Sequence, residues 1–234
     1  MEVQVAVSKI SKYATRESGD TLEMVERPHG GISFVMVDGQ RSGRSAKVIS
    51  NLVARKAVSL LAEGVRDGAA ARAAHDYLYT HRQGKVSATL NITSVDMDSR
   101  TMVLCRNNHC PIYIVNKDGL TTLDEPVRAV GVHRNTKPIV TEFPLAAPTL
   151  AVIFTDGILS AGSRKGRLLD IPQILQELCP DGNCSAKTVA DAIFEAAYAL
   201  DDQRPVDDIS LLVVAVLNKR SASDSRHLEL TFPL

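Results

Sequence analysis

Apolar and polar residues alternate at the start of the chain, where Val3, Val5 and Val7 predict an opening strand. Two further strands are expected over residues 21–26 and 32–37, joined by the turn-forming run Arg27-Pro28-His29-Gly30-Gly31. The period then changes. From Arg44 the apolar residues Val48, Ile49, Leu52, Val53, Ala57, Leu60, Leu61 and Val65 keep the i, i+3, i+4 spacing of a long amphipathic helix. Asp67-Gly68 breaks it as a plain turn, and a second helix runs to about Arg82 with Ala70, Ala73, Ala74, Tyr77 and Leu78 on one face. A period of two returns over 86–97, 102–106 and 111–116, and 120–123 and 138–143 add two short strands. Residues 150–155 form a fully apolar strand, 171–178 and 186–200 two helices, and 209–217 a last apolar strand. The remaining residues are a polar connection and then the alternating HLELTFPL, which reads equally well as an edge strand or as a disordered end.

Strands and helices therefore come in blocks: three strands, two helices, a run of strands, two helices, one strand. Strictly alternating strand–helix units would predict a parallel sheet. Blocks predict an α+β fold of antiparallel sheets covered by helix pairs. There is no internal repeat, no low-complexity stretch and no composition shift before about 219. The expectation is a single domain over 1–218 and a C-terminal tail over 219–234.

Composition narrows the classes. Of the 234 residues 44% are hydrophobic but only 4% aromatic, with no Trp, so the core is mainly aliphatic. The 27 basic and 27 acidic residues cancel, which argues against nucleic-acid or membrane-surface binding driven by net charge. No apolar run reaches the length of a membrane span, and MEVQVAVSKIS lacks a basic segment followed by an apolar one, so a cytoplasmic protein is expected. The four cysteines form two C-x4-C pairs, Cys105/Cys110 and Cys179/Cys184. Zinc knuckles usually use C-x2-C on loops. These cysteines sit at the ends of apolar segments and read as reduced thiols packed as small hydrophobes.

Candidate chemistry lies in the acids at strand ends: Val37-Asp38-Gly39, Thr155-Asp156-Gly157 and Asp207-Asp208-Ile209, with Gly19-Asp20 ahead of the second strand. A single Asp-Gly is most often a turn, the reading given to Asp67-Gly68, Asp118-Gly119 and Asp181-Gly182. Several acids converging at rigid strand ends would repel one another unless a cation neutralised them, and oxygen-only ligands suit Mg²⁺ or Mn²⁺. Gly39 would let its carbonyl turn inward as a further ligand.

The ordered set SGD (18–20), FVMVDGQRSGRSA (34–46), RNNHCPIYIV (106–115), AVIFTDGI (151–158) and DDISLLVVAV (207–216) resembles the PP2C-like metal-dependent serine/threonine phosphatases. Within them it is most similar to the compact SpoIIE-type bacterial branch and its RsbX-like members. The resemblance implies a sandwich of two antiparallel β-sheets flanked by helix pairs. It implies two divalent ions, Mn²⁺ or Mg²⁺, bridged by Asp38. The Gly39 carbonyl and Asp20 would serve one ion, Asp156 and Asp207 the other, and Asp208 would be an accessory. Hydrolysis would use activated water, with Asp38, Asp156 and Asp207 central to it. The implied substrate is phosphoserine or phosphothreonine on a signalling protein of the stress response, a STAS-domain anti-sigma-factor antagonist or stressosome component. Arg16, Arg41 or Arg44 would orient the phosphate. Two departures stand out. Gln40 occupies the place where many larger relatives carry a candidate acid histidine, and Asn107-Asn108 replaces Ala-Gly before His109, itself read as structural. A haloacid-dehalogenase-like phosphatase would need Asp-x-Asp, which Asp38-Gly39-Gln40 lacks. The non-enzyme alternative is a pseudophosphatase that binds phosphorylated partners.

Overall fold

Side chains two apart on a strand share a face, and that parity organises three layers of core. The structure is a computed structural model and describes residues 1–28, 30–218 and 225–231. Along the chain these form β1 (Glu2–Ile10), β2 (Asp20–Glu26), β3 (Gly31–Gly39), α1 (Gly43–Ala62), α2 (Asp67–Arg82), β4 (Ala88–Asp96), β5 (Thr101–Asn107), β6 (Ile112–Asn116), β7 (Gly119–Leu123), β8 (Ile139–Pro144), β9 (Thr149–Phe154), α3 (Asp156–Ser160), α4 (Ile171–Leu178), α5 (Ala186–Leu200) and β10 (Ile209–Leu217). A short 3-10 turn, Ser163–Lys165, follows α3.

Two five-stranded sheets result, in the orders β1-β10-β9-β6-β7 and β2-β3-β4-β5-β8, with antiparallel pairing throughout. The pair α1 and α2 covers the second sheet, and α4 and α5 cover the first. On β3, Val35 and Val37 face α1 and α2, where they meet Val53, Ala57, Leu61 and Leu78. Phe34 and Met36 face the other sheet and meet Ile153, Leu212 and Val214. On β10 the odd-numbered residues Leu211, Val213 and Ala215 pack under α5 against Val189 and Ile193. The α+β fold expected from the block order is thus present, and so is the two-sheet sandwich that the family resemblance implied.

Three local expectations change. Asp67-Gly68 is not a plain turn but the first turn of α2, after a connection over 63–66. Asp67 is buried there because it is paired: Arg27 Nη1 lies 2.9 Å from its Oδ2, Ser94 donates to its other oxygen, and Arg27 Nη2 donates to the Val65 carbonyl at 3.0 Å. The helix α3 was not expected, because five residues are too few to show a helical period. In the tail, residues 225–231 form no strand; Phe232 lies outside the described residues.

All four cysteines are free. Cys105 belongs to the core under α1 and α2, whereas Cys110 and Cys179 belong to the core under α4 and α5, so the first C-x4-C pair is split between two layers. Burial raises the thiol pKa of Cys105 and Cys110 far above the usual range and that of Cys179 to about 12. Among the described residues no helix is long and apolar enough to cross a membrane.

Candidate metal centre

The same parity that fills the inter-sheet core ends it in polar groups. On β3, Phe34 and Met36 are followed on their face by Asp38; on β2, Leu22 is preceded by Asp20. These two acids are direct cross-strand partners in the β2–β3 ladder. On the other sheet, Ala151 and Ile153 lead to Thr155, and Val214 and Leu212 lead back to Ser210 and Asp208. Thr155 and Ser210 reach across the layer: Thr155 Oγ1 donates to Asp20 Oδ2 at 2.9 Å and Ser210 Oγ donates to the same oxygen at 2.7 Å. Asp20 is 1% exposed, and its Oδ1 has no hydrogen-bond partner. Lys9 Nζ and Lys47 Nζ both donate to its main-chain carbonyl, each at 2.6 Å.

Asp38, Asp156 and Asp207 line an open cleft of about 400 Å³ with Lys12, Gly39, Gln40, Arg41, Thr89 and His109. Burial, then the charges of Asp20, Asp156 and Asp207, push Asp38 up to about 9. Burial also raises Asp20, to about 6, against the opposing hydrogen bonds from Ser210 and Thr155. Asp156 is raised by burial and by Asp207, with His109 acting the other way. Burial and mutual repulsion thus disfavour the charged forms of Asp38, Asp20 and Asp156, and a bound cation would oppose that. Among the described residues no three acid, histidine or cysteine groups close into a ready-made metal cage. The arrangement is an open set of oxygen donors with one buried, unpartnered carboxylate oxygen. Magnesium-like ions suit such a set, since they take one or two carboxylates and complete their shell with water and substrate.

The glycines explain why the chain can close up here. A Cβ on Gly39 would run into the Ala46 carbonyl on α1, and one on Gly157 into the Asp208 carbonyl. Between β3 and α1, Arg41 takes a left-handed conformation, φ 75°, which is unusual for a residue with a side chain and turns the backbone at the cleft edge. Gln40 is engaged elsewhere: its Oε1 accepts from the Ser87 N–H at 3.0 Å.

Of the phosphate candidates, Arg41 lines the cleft; Arg16 and Arg44 are exposed and are not among its lining residues. His109, read from sequence as structural, is corrected: its side chain is 61% exposed, lines the cleft and lies 4.0 Å from Asp156. The buried polar residues just before it anchor the chain. Arg106 donates to the carbonyls of Asn108 and Glu125, Asn107 to those of Arg128 and Lys137, and Asn108 to that of Phe154. The sequence signal for this was a polar run at the end of an apolar strand. Sequence reasoning also missed Lys12 and the two lysines on Asp20. Both carboxylate oxygens of Asp208 accept backbone N–H groups, from Lys12 and Gly19, at 2.8 Å each.

The family model of stage II sporulation protein E (SpoIIE) matches residues 28–217. No curated protein sequence matches the chain significantly. Among solved structures, the fold resembles the PP2C phosphatase domain with a fragment of the regulatory domain of SpoIIE from Bacillus subtilis, with TM-score 0.80 and 17% identity over 94% of this chain. The chain spans 64% of that fragment's length. Against the phosphatase domain of the same protein in a form without domain swapping, the TM-score is 0.70 at 17% identity, covering 97% of this chain and 98% of that one. RsbX in complex with magnesium gives 0.69 at 15% identity over 92% and 95%. The match over most of the chain and the shared two-sheet sandwich place this protein in the SpoIIE family, with the fold of the PP2C-type protein serine/threonine phosphatases.

Proposed function

We propose that this protein hydrolyses phosphoserine or phosphothreonine on a bacterial regulatory protein, with Mn²⁺ or Mg²⁺ as cofactor. The observation that carries the reading is the convergence of Asp20, Asp38, Asp156 and Asp207 on one end of the inter-sheet layer, with Asp20 Oδ1 buried and unpartnered. Asp38 would stand between two cations, with Asp20 and the Gly39 carbonyl serving one and Asp156 and Asp207 the other. A bound divalent pair supplies an acidified water and neutralises phosphoryl oxygens. Arg41, and from the β1–β2 connection Arg16, would orient the phosphoryl group. No cysteine takes part: none is among the residues lining the cleft, and the buried thiols of Cys105, Cys110 and Cys179 are held protonated.

The substrate we infer is a phosphorylated STAS-domain protein of the anti-sigma-factor-antagonist or stressosome kind, which places the reaction in the cytoplasm. The likeness to RsbX, and to a fold neighbour described with the bacterial stressosome, supports that class. The domain would comprise 1–218, with 219–234 a tail that the chemistry does not need. One observation favours slow turnover or a phosphopartner-binding role instead: the Gln40 side chain is tied to the Ser87 backbone and offers the leaving group no proton. Assays of p-nitrophenyl phosphate and phosphorylated STAS proteins, with and without Mn²⁺, decide between the two. Metal-dependent turnover is expected. Tight phosphoprotein binding with no turnover in any divalent metal would establish the binding role and overturn the enzymatic one.

A further inference from the structure

We propose that Lys12 contacts the substrate's phosphoryl oxygens and that Asp208 is the positioning residue that holds it at the cleft, an inference that rests on the phosphatase reading above. Lys12 lies on the β1–β2 connection and lines the cleft with Asp38, Asp156 and Asp207. Among the described residues its ammonium has no hydrogen bond and no ion pair, although acids surround the same cleft. Its place is therefore set by its backbone and not by a salt bridge.

That backbone is tied down from several sides. The Lys12 N–H donates to Asp208 Oδ1 and the Gly19 N–H to Asp208 Oδ2, both at 2.8 Å. One carboxylate thus closes both ends of the segment leading into Asp20. Thr15 turns back on it, with N–H and Oγ1 both donating to the Lys12 carbonyl, at 3.1 and 2.7 Å. The Tyr13 N–H donates to the Pro205 carbonyl at 3.0 Å, and the Arg204 guanidinium sits 5.2 Å from the Tyr13 ring centre. Successive acids hence have separate roles: Asp207 faces the cleft, while Asp208 faces the backbone of the opposite segment. A phosphate monoester dianion brings two negative charges to an already acidic cleft. An unpaired ammonium on a backbone held at the cleft is a ready donor to its oxygens.

The test compares wild type with Lys12→Ala, Lys12→Arg, Asp208→Asn and the Lys12→Ala/Asp208→Asn double variant. The measurements are p-nitrophenyl phosphate kinetics in Mn²⁺, inhibition and calorimetric binding of inorganic phosphate, and Mn²⁺ titration. Lys12→Ala is expected to raise KM and weaken phosphate binding about tenfold, with a smaller change in kcat. Lys12→Arg should recover most of that loss. Asp208→Asn should weaken phosphate binding comparably with Mn²⁺ affinity as in wild type, and the double variant should be no worse than the poorer single one. Unchanged phosphate binding in Lys12→Ala, or additive losses in the double variant, would overturn the proposal. So would reduced Mn²⁺ affinity in Asp208→Asn, which would make Asp208 a ligand. If Asp208→Asn does not fold, Arg204→Ala loosens the same segment and should weaken phosphate binding by a smaller factor; no change would count against the positioning role. Wild type without metal-dependent turnover would sink the phosphatase reading instead, and phosphate calorimetry would still judge Lys12.

Discussion

Asp38 is opposed in its charged form by burial and by Asp20, Asp156 and Asp207 together. Folding moves its carboxyl from an ordinary pKa of about 3.8 up to about 9, because burial and three neighbouring acids oppose its charge. Between those values the folded state binds the proton that the unfolded state has released. The sign is therefore destabilising: without metal, stability should fall as pH rises from about 4 towards 9, with Asp20 contributing up to about 6. Denaturation midpoints in a chelator at increasing pH should show this slope. Asp38→Asn should flatten it, raise metal-free stability near neutral pH, and abolish metal-dependent turnover. A mutant that kept normal turnover would return Asp38-Gly39 to the status of a turn. The acids themselves were legible in the sequence because strand ends reveal themselves by hydrophobic runs. Lys12 and His109 were not, since their places depend on groups far along the chain: the Asp208 carboxylate, 196 residues away, sets the first.

At the level of elements, α1 is pressed against the strand end it follows. The carbonyl of Ala46 occupies the space where a side chain on residue 39 would begin. Gly39→Ala must push α1 away from β3, and a loss of more than about 2 kcal/mol in denaturant unfolding is expected, together with weaker Mn²⁺ binding. A loss below about 0.5 kcal/mol would show that the helix moves freely. Long periodic elements such as α1 and β10 were readable from spacing alone. The start of α2 was not, because the residues that signal a turn, Asp and Gly, also fill the first turn of a helix. The Arg66 carbonyl, which accepts the Ala70 N–H at 2.9 Å, and the buried Arg27–Asp67 pair distinguish the two.

Across the whole molecule, four layers divide the apolar residues among three cores; the block order of elements anticipated antiparallel sheets with helix pairs, and the family resemblance their arrangement as two sheets. Local periodicity records which face is buried, but not which layer covers it, so the sequence alone did not separate Cys105 from Cys110. Their separation has a chemical outcome. In the native protein a thiol reagent should reach Cys184 alone, and all four thiols only in denaturant; rapid native reaction of Cys105 or Cys110 would contradict the packing. The pairing of Asp20 with Asp38 has a consequence for how such a protein can vary. Glu26 and Ile32 pair at the far end of that hairpin, and the strands between act as a ruler whose unit is the single residue. One amino acid added within β2 turns Asp20 from the inter-sheet side to the helix side. The same addition at the connection lengthens a loop and leaves the acids in step. Tolerance to insertion along this hairpin is therefore a map of the chemistry: lineages and libraries can lengthen its tip freely, while each strand is held to a fixed count.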